Sequence, residues 1–363
     1  TKGALMSNYY NWSTVNSSLG YVSSDPSARN PVPMANQDLS WERTSQYNLG
    51  IDFGVLNSRI SGSIDIYKTR TEDLLMLKTI PSLTGYTSTW DNVGVTEGSG
   101  IDLQINTVNI KNENFIWTTN ISWSKDKSEI VELVNGNTED ITNAWFVGKD
   151  INVYYDYVYD GIWKTSEATE AAKYGRKPGQ IRVKDLNTDD KINANDDKQI
   201  VGKARPDWTG GITNIFNYKN LELSFFIYSR WGSTFRSGAL TLDGRYQQRK
   251  IDYWVAGSNE DGYYYSPGSN GEGADTYSSS MNYQDGSFIK LRNINLGYNF
   301  GPKALKKMGL NSLKVYAQCM NPWMIYSKCD YLDTDLSNYD NNSTSVGSPT
   351  TTRGFVFGVN VGF

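Results

Sequence analysis

The sequence predicts an all-β fold, an antiparallel transmembrane β-barrel, and three observations lead to this fold class. Apolar and polar side chains alternate along nine segments of the chain. The connections between these segments are short and long in turn. The last segment, 353–363, has one apolar face and ends on Phe363. Such alternation, with short periplasmic turns and long extracellular loops, is typical of outer-membrane barrels.

The composition agrees with a barrel and excludes several other classes of protein. Of the 363 residues, 38% are hydrophobic and 13% are aromatic. No segment approaches the ~20 consecutive apolar residues of a membrane helix, which excludes a helical membrane protein. The strands of a membrane barrel do not contain such apolar runs, because one of their faces is polar. The net charge is -4 and the sequence shows no basic stripe, so we expect no nucleic-acid partner.

The chain offers few side chains for catalysis. It contains no histidine, which removes Ser-His-Asp and Cys-His catalysis and every His-based zinc site. Cys319 and Cys329 are too few for a disulfide framework, and we favour two free thiols over a single bridge. Asp156 and Asp160 form a carboxylate pair of the kind that hydrolyses glycosides, but nothing in the sequence fixes their separation. We assign no catalytic residue and expect no enzyme.

The first predicted hairpin follows an irregular N-terminal region. Residues 1–40 are rich in Ser, Asn, Pro and Tyr, which indicates an extracellular loop region whose start is compatible with the stub of a preceding strand. Strands at 41–54 and 58–71 come next, with Leu49 on the apolar face and Asn48 on the polar one. A tight turn joins them into a hairpin.

Two further hairpins show cleaner alternation. The strands of one are predicted at 95–109 and 113–127, and those of the next at 206–218 and 220–234. A short polar turn joins the strands within each pair. The apolar face of 113–127 ends at Trp123, where the aromatic girdle of a membrane barrel would lie.

The remaining strands are predicted at 286–300, 312–326 and 353–363. The first two are joined by a basic turn, 301–311, whose lysines we interpret as a solvated run. If Phe363 ends in the periplasm, all the short turns are periplasmic. Residues 41–363 then form the C-terminal part of a transmembrane barrel, with extracellular loops at 72–93, 126–205, 235–285 and 327–352. The loop 126–205 also contains a strand-like segment, 153–159, and a short helix near 166–173.

The odd number of strands predicts that the sheet is incomplete. Bacterial single-chain barrels have even strand numbers, and an open edge in lipid leaves backbone groups unsatisfied at several kcal/mol each. Either residues 1–12 hold a tenth strand, or these nine or ten strands are the C-terminal part of a larger barrel. In the second case, another polypeptide segment pairs with the free edge of 353–363.

Several segments resemble the SusC-type TonB-dependent outer-membrane transporters of Bacteroidetes. The resemblance runs in the order of that family from residue 38 to the end of the chain. It rests on the segments Asp38-Leu-Ser-Trp-Glu-Arg-Thr44, Asn48-Leu-Gly-Ile-Asp52, Ile64-Asp-Ile-Tyr-Lys-Thr-Arg70, Gly98-Ser-Gly-Ile-Asp102, Pro178-Gly-Gln-Ile-Arg-Val-Lys-Asp-Leu-Asn-Thr-Asp189, Pro206-Asp-Trp208 and Phe288-Ile-Lys-Leu-Arg-Asn-Ile294.

The resemblance implies the architecture and the partners of such a transporter. It implies a 22-stranded barrel in outer-membrane lipid, occluded by an N-terminal plug and energised by an inner-membrane TonB complex. It also implies a SusD-like surface lipoprotein that covers the extracellular loops. The function expected is active import of a glycan or peptide. The alternatives are a passive porin or adhesin barrel, and a soluble all-β carbohydrate-binding or hydrolytic protein.

An acidic segment of the loop 126–205 matches the spacing of a calcium loop. Asp185, Asn187 and Asp189 occupy its first, third and fifth positions, Lys191 the seventh and Asp196 the twelfth. Clustered carboxylates repel one another unless a hard cation neutralises them. The motif departs from the pattern because its sixth residue is Asp rather than Gly and its twelfth is Asp rather than Glu. The alternatives are a structural Ca²⁺ site and a solvated acidic turn, and no other cofactor is expected.

Four side chains are candidates for contact with substrate. Tyr228 and Arg230 are predicted on the polar, lumen-facing side of a strand, near its outer end. Trp145 and Trp163 lie in the longest loop and could stack on sugar rings. The alternative for each loop aromatic is that it packs the loops against each other.

Overall fold

The computed structural model describes most of the chain. The described residues are 34, 36, 38–81, 83, 86, 88–133, 136, 138–236, 252–266, 277, 279–329, 333–336 and 352–363. The tenth strand considered within 1–12 and nearly all of the predicted loop region 1–40 lie outside them.

Nine long strands form one sheet, and the sequence predicted all nine. In the sheet, these strands lie side by side in the order in which they occur along the chain. The predicted boundaries hold to within about three residues except in the fourth strand, which continues to Glu132 rather than 127. The strands are β1 (Arg43–Val55), β2 (Ile60–Glu72), β3 (Val95–Lys111), β4 (Phe115–Glu132), β5 (Trp208–Tyr218), β6 (Leu221–Trp231), β7 (Phe288–Asn299), β8 (Ser312–Ser327) and β9 (Gly354–Gly362).

Backbone pairing explains why the strands are so long. From β4 to β9 every neighbouring pair is antiparallel, and β5 pairs continuously with both β4 and β6. The register shifts once between β6 and β7 and twice between β7 and β8. Long ladders of this kind satisfy the N–H and C=O groups along a whole span, which a hydrocarbon environment demands.

One side of the sheet, here called the apolar face, is covered with exposed apolar side chains. Phe357 is 78% exposed and Leu49 is 65% exposed. Apolar surface on this scale is unfavourable in water, and it is the surface that lipid contact requires. The other side, the polar face, carries the alternating polar residues. Further members of the apolar face are Tyr47, Ile51, Ile212, Leu221, Leu223, Leu296, Val315, Trp323, Phe355 and Val359.

Aromatic side chains mark both ends of the apolar face. Near the short turns, Phe216 stacks on Trp117 and Phe225, with ring centroids 5.5 and 6.0 Å away. Near the long loops, Trp231 stacks on Trp208 at 6.2 Å. Trp208 and Phe216 lie on one strand about 26 Å apart at about 3.3 Å per residue, which matches the ~25 Å apolar band of membrane barrels. Aromatic side chains therefore lie at both levels. Trp123, the predicted girdle residue, lies opposite Gly210, two residues from Trp208.

Asn214 shows how the apolar face accommodates a polar side chain. Its Oδ1 accepts hydrogen bonds from Trp117 Nε1 at 2.9 Å and from Thr119 Oγ1 at 2.7 Å. Thr119 in turn accepts a bond from Asn109 Nδ2 at 2.7 Å. Burying an amide without partners costs several kcal/mol, so these bonds across three strands remove a penalty that lipid contact would impose.

The chain divides into two compact units. The first comprises 1–49, 66–100 and 126–151. Within it, the predicted loop 72–93 folds into a hairpin whose strands are Leu75–Thr79 and Ser88–Asn92. The side chain of Asn92 donates to the backbone carbonyl of Ser40 at 3.0 Å and to that of Asp73 at 2.7 Å, which fixes the base of this hairpin.

The second unit comprises 50–65, 101–125 and 152–363. Its loops hold three short antiparallel strand pairs and the predicted helix, α1 (Ala168–Lys173), which follows a 3-10 turn. A loop core of five buried side chains holds this region together: Ile162, Ile181, Val183, Trp254 and Met281. The strand pairs are Val153–Tyr157 with Lys198–Lys203, Tyr159–Ile162 with Ile181–Val183, and Thr234–Arg236 with Tyr283–Asp285.

The predicted basic turn 301–311 differs from expectation because it contains a helix, α2 (Pro302–Met308). Pro302 stands at its first turn, where a missing N–H costs nothing, and Gly309 ends it in the left-handed conformation with φ 66°. Among the described residues no helix is long and apolar enough to cross a membrane. Cys319 and Cys329 are not bridged, as predicted.

The surroundings of Gly62 show how closely its backbone approaches that of the neighbouring strand. A Cβ built on Gly62 would lie 2.2 Å from the backbone oxygen of Gln104, and backbone cannot move aside. We expect Gly62→Ala to destabilise the folded sheet by about 1–3 kcal/mol. The measurement is the folded fraction of the full-length protein on unheated gels after stepwise heating. Gly54→Ala is the matched control, because the nearest atom to its Cβ is 3.8 Å away, and equal stability of the two variants would contradict this account.

Candidate functional site

An open groove of about 360 Å³ runs along the polar face of the second unit. The strands β2 to β6 turn polar residues to this side, and the carbon atoms of the lining side chains add apolar surface between the polar groups. Ser124 donates to Asp102 at 2.5 Å, and neither Asp102 nor Asp65 forms an ion pair with a described residue. The groove therefore presents hydroxyl, amide and carboxylate groups. They belong to Ser63, Asp65, Asp102, Gln104, Ser122, Ser124, Thr209 and Tyr228.

Of the two predicted contact residues on β6, Tyr228 lines this groove and Arg230 is buried. Tyr228 packs against the ring of Phe288 at 5.8 Å, and the guanidinium carbon of Arg292 lies 3.7 Å from the Tyr228 ring centre. Arg230 is 4% exposed and lies over the Phe288 ring at 5.0 Å. Both side chains are thus on the polar face, as predicted. Their contact with substrate stays a prediction, and Arg230 is covered in this conformation.

Beside Arg230, an ion-pair cluster joins residues 333–336 of the last long loop to β7, and we call it the loop clamp: Lys290, Arg292, Asp333 and Asp335. The ammonium of Lys290 lies 2.7 Å from the Asp333 carboxylate and 3.2 Å from that of Asp335. Arg292 donates from Nε and Nη2 to the two carboxylate oxygens of Asp335. Arg230 donates to the carbonyl of Thr334. Lys290 is 2% exposed, so these carboxylates offset the desolvation cost of burying its side chain.

The clamp sets the charge state of Asp335. Burial raises the pKa of this carboxyl, but the Arg292 hydrogen bond and the charges of Arg292 and Lys290 outweigh burial. The pKa of Asp335 is therefore held below its ordinary value, and the carboxylate stays ionised at neutral pH.

The two predicted tryptophans are loop residues with different surroundings. Trp163 is 6% exposed, stacks on Tyr174 at 5.8 Å and lies under the Arg182 guanidinium at 5.3 Å. Trp145, in the first unit, is half-buried in a short strand opposite Asp140. Trp163 thus packs loop against loop, which was the alternative interpretation for these aromatics. Sugar stacking by either residue stays a prediction.

The acidic segment forms a loop wrapped around carboxylates. Asp185 accepts the backbone N–H of Thr188 at 2.7 Å and of Asp190 at 2.8 Å, and Asp189 accepts that of Lys191 at 3.0 Å. Asp196 lies apart from them, bonded to the side chain of Asn193 at 3.0 Å. Within the described part of the chain, no three Asp, Glu, Cys or His side chains are placed to hold a metal ion.

The residue that closes this loop, Asp197, was not among the predicted ligands. It is fully buried and accepts the backbone N–H groups of Leu186 and Asn193, both at 2.8 Å. Only its position one residue after the motif could have drawn attention to it. Lys290 and Asp335 were missed as well, although alternation along Phe288–Asn299 assigns Lys290 to the polar face.

Calcium at Asp185, Asn187, Asp189, Lys191 and Asp196 stays a prediction. Metal analysis of the purified protein tests it, with one equivalent of calcium expected in the wild type. Asp185→Ala would then lose that calcium, because the first position supplies a direct ligand. Equal metal content in the two proteins would count against the site.

Removing the Asp335 carboxylate should release the last long loop. We expect Asp335→Ala to destabilise the docked loop by about 3 kcal/mol, because it leaves the buried Lys290 and the half-buried Arg292 with fewer partners. Limited proteolysis of the folded protein, with cleavage sites mapped by mass spectrometry, should show faster cutting within 327–352. Asp261→Ala is the control: this carboxylate pairs with Lys164 on the surface and is 86% exposed, so little change is expected. Equal cleavage rates would contradict the clamp.

The clamp should also respond to acid in a defined window. A depressed carboxyl pKa adds stability above the unfolded value of about 3.8, and that stability is lost as the pH falls through the folded pKa. We therefore expect loop cleavage by an acid-active protease to be constant from pH 7 to about 4 and to rise below it. Release of the loop between pH 7 and 5 would show that another group controls it.

Known proteins resemble this chain along nearly its whole length. Residues 4–321 match the family described as TonB dependent receptor-like, beta-barrel. The chain is 29% identical over 360 residues to TonB-dependent receptor P3 of Formosa agariphila, covering 91% of this chain and 35% of that protein. It is 30% identical over 325 residues to TonB-dependent receptor SusC of Bacteroides thetaiotaomicron, covering 84% of this chain and 30% of that protein. The chain thus spans about a third of the length of these relatives.

Solved structures share the fold. The RagAB peptide transporter superposes with a TM-score of 0.71 at 22% identity, over 91% of this chain and 36% of that one. The RagAB peptide importer in its open-open state gives 0.73 at 21% identity, over the same shares. The two-faced sheet, its aromatic levels and the family match over 4–321 agree. The chain belongs to the TonB-dependent receptor-like β-barrel family of the outer membrane.

Proposed function

We propose that this chain serves active import of a nutrient, a glycan or a peptide, across the outer membrane. The proposal rests on the match to TonB-dependent receptors. The open groove on the polar face of the sheet agrees with it. A solute passing along this face would meet the hydroxyl, amide and carboxylate groups of the groove, with apolar surface between them. The chain would supply the wall, the loops and the terminal strand, and energy would come from a TonB complex through a plug.

The proposed partners are those of SusC-type transporters. A SusD-like surface lipoprotein would cover the extracellular loops, and further barrel strands would pair with β1 and β9. The loop core supports the first partner, because buried Trp254 and Met281 join described loop segments into a surface on which a lid can close. Relatives named SusC and RagAB also favour this assembly.

The groove fits a solute rich in hydroxyl or amide groups. Its serine and threonine hydroxyls, its glutamine amide and the carboxylates of Asp65 and Asp102 are donors and acceptors that such groups can bond. Sugars and peptide backbones both meet this description. RagAB is described as a peptide transporter. For the present chain, the proposal includes both glycans and peptides as substrates.

No covalent chemistry is part of the proposal. The side chain of Asp156 is buried and accepts a hydrogen bond from Tyr283 at 3.1 Å. Asp160 pairs with Arg182 at 2.9 Å. Both carboxylates thus have partners that tie loop segments together, which favours a structural role over glycoside hydrolysis.

Two rival functions make different demands on the molecule. A soluble carbohydrate-binding protein would have to keep the apolar face in water, where Phe357 and Leu49 are 78% and 65% exposed. A passive porin or adhesin shares the membrane wall but needs no energy. Uptake that continues in a strain without TonB would favour the passive rival.

Growth of a deletion strain tests the import proposal. The strain should fail on one or more glycans or peptides supplied as sole nutrient and grow normally on simple sugars and amino acids. Reintroducing the full-length gene should restore growth, and a strain lacking TonB should show the same defect. A deletion strain that grows on every substrate offered would refute import.

Tyr228 provides a test within the groove. Tyr228→Ala should lower uptake at limiting substrate about tenfold, the upper end of what one lost aromatic contact and its ring stacking contribute. Tyr228→Phe is the matched control, because it keeps the ring against Phe288 and Arg292. The measurement is uptake of labelled substrate by cells with equal amounts of folded receptor. Full uptake by Tyr228→Ala would show that Tyr228 does not contact the substrate.

A further inference from the structure

The periplasmic rim of the second unit carries an excess of cations that import does not use. The rim consists of the four short turns at 56–59, 112–114, 219–220 and 301–311. The whole chain has a net charge of -4, yet these turns hold five cations against the single carboxylate of Glu113. The cations are Arg59, Lys219, Lys303, Lys306 and Lys307.

The four turns form one continuous edge, because hydrogen bonds link each of them to its neighbour or to an adjoining strand end. Positive charge is therefore collected along a single line rather than scattered. The linking bonds are Arg59 Nη2 to the Val108 carbonyl (3.1 Å), Lys219 N to the Asn114 carbonyl (2.8 Å), Asn299 N to the Asn220 carbonyl (2.8 Å) and Asn311 N to the Gly362 carbonyl (2.8 Å).

Helix α2 concentrates the charge. Lys303, Lys306 and Lys307 follow i, i+3, i+4 spacing and share one side of the helix, whereas Leu305 is half-buried. All three lysines are exposed, and none of the five rim cations forms an ion pair with a described residue. Uncompensated charges at this spacing repel one another, so an anionic partner would stabilise them.

The apolar face begins immediately beside these cations. Phe363 is 90% exposed, Tyr218 is 53% exposed and Tyr298 is 44% exposed, all at the same end of their strands. The Lys219 ammonium lies 5.6 Å from the Tyr218 ring centre. Basic side chains that border an aromatic belt lie at the level of lipid headgroups, with their stems along apolar surface and their charges at the interface.

We propose that this rim binds anionic phospholipid headgroups of the periplasmic leaflet, with the lysines of α2 as its strongest contacts. Lipid fits better than an acidic protein, because all five cations, including the three on α2, follow the line where the apolar face ends. The inference goes beyond import and rests only on the placement of this sheet in the outer membrane.

Native mass spectrometry of the full-length receptor in a neutral detergent tests the proposal. The receptor is titrated with phosphatidylglycerol and, separately, with zwitterionic phosphatidylethanolamine. The wild type should retain phosphatidylglycerol about 100-fold better, and high salt should abolish the difference. The triple variant Lys303→Gln, Lys306→Gln, Lys307→Gln should lose about 100-fold in affinity, since each lysine near an anionic surface contributes about fivefold.

The matched control removes the same charge from the extracellular loops. It is the triple variant Lys149→Gln, Lys177→Gln, Lys184→Gln, whose side chains are also exposed, and it should bind phosphatidylglycerol like the wild type. Heat modifiability on gels confirms that all proteins are folded. Equal retention of both lipids by the wild type, or unchanged retention by the α2 variant, would overturn the proposal. A salt-sensitive complex with an acidic periplasmic protein, without lipid preference, would overturn it as well.

Discussion

The rest of the structure depends on satisfying backbone hydrogen bonds where water is absent. A strand in hydrocarbon has to pair along its entire length, and β5 does so with both of its neighbours. Once pairing is continuous, period-two alternation separates the side chains into an apolar face and a polar face. Exceptions must then be satisfied locally. Asn214 on the apolar face illustrates this, since its amide oxygen accepts bonds from Trp117 and Thr119 on the next strand.

The two ends of the sheet solve different physical problems. At the extracellular end, long segments leave the membrane and fold around their own buried residues, such as Trp254 and Met281. The last loop is fastened to β7 by charges, with Lys290 buried beneath Asp333 and Asp335. Buried ion pairs add little net stability over apolar packing, but they fix one geometry. At the periplasmic end the turns are short, and their charge remains uncompensated by the described residues.

Several candidate residues turned out to have structural partners. Trp163 was a candidate for sugar stacking, and it is buried between Tyr174 and Arg182. Arg230 was assigned correctly to the polar face, but it is covered because the chain returns over it at Thr334. Sequence alternation reports which face a side chain is on. It does not report what a distant loop places above that face.

The sequence by itself determined the strands, their faces and the assignment of turns and loops, because period-two alternation is a local property that lipid contact and backbone pairing make strict. It also determined the family through motifs spread along those strands. Only the tertiary structure decided the loop core, the clamp and the role of Asp197. Each joins residues that are brought together by folding, as when Lys290 meets Asp333 43 positions later, and no local pattern encodes that contact. The groove likewise exists only because β2 to β6 align their polar positions side by side.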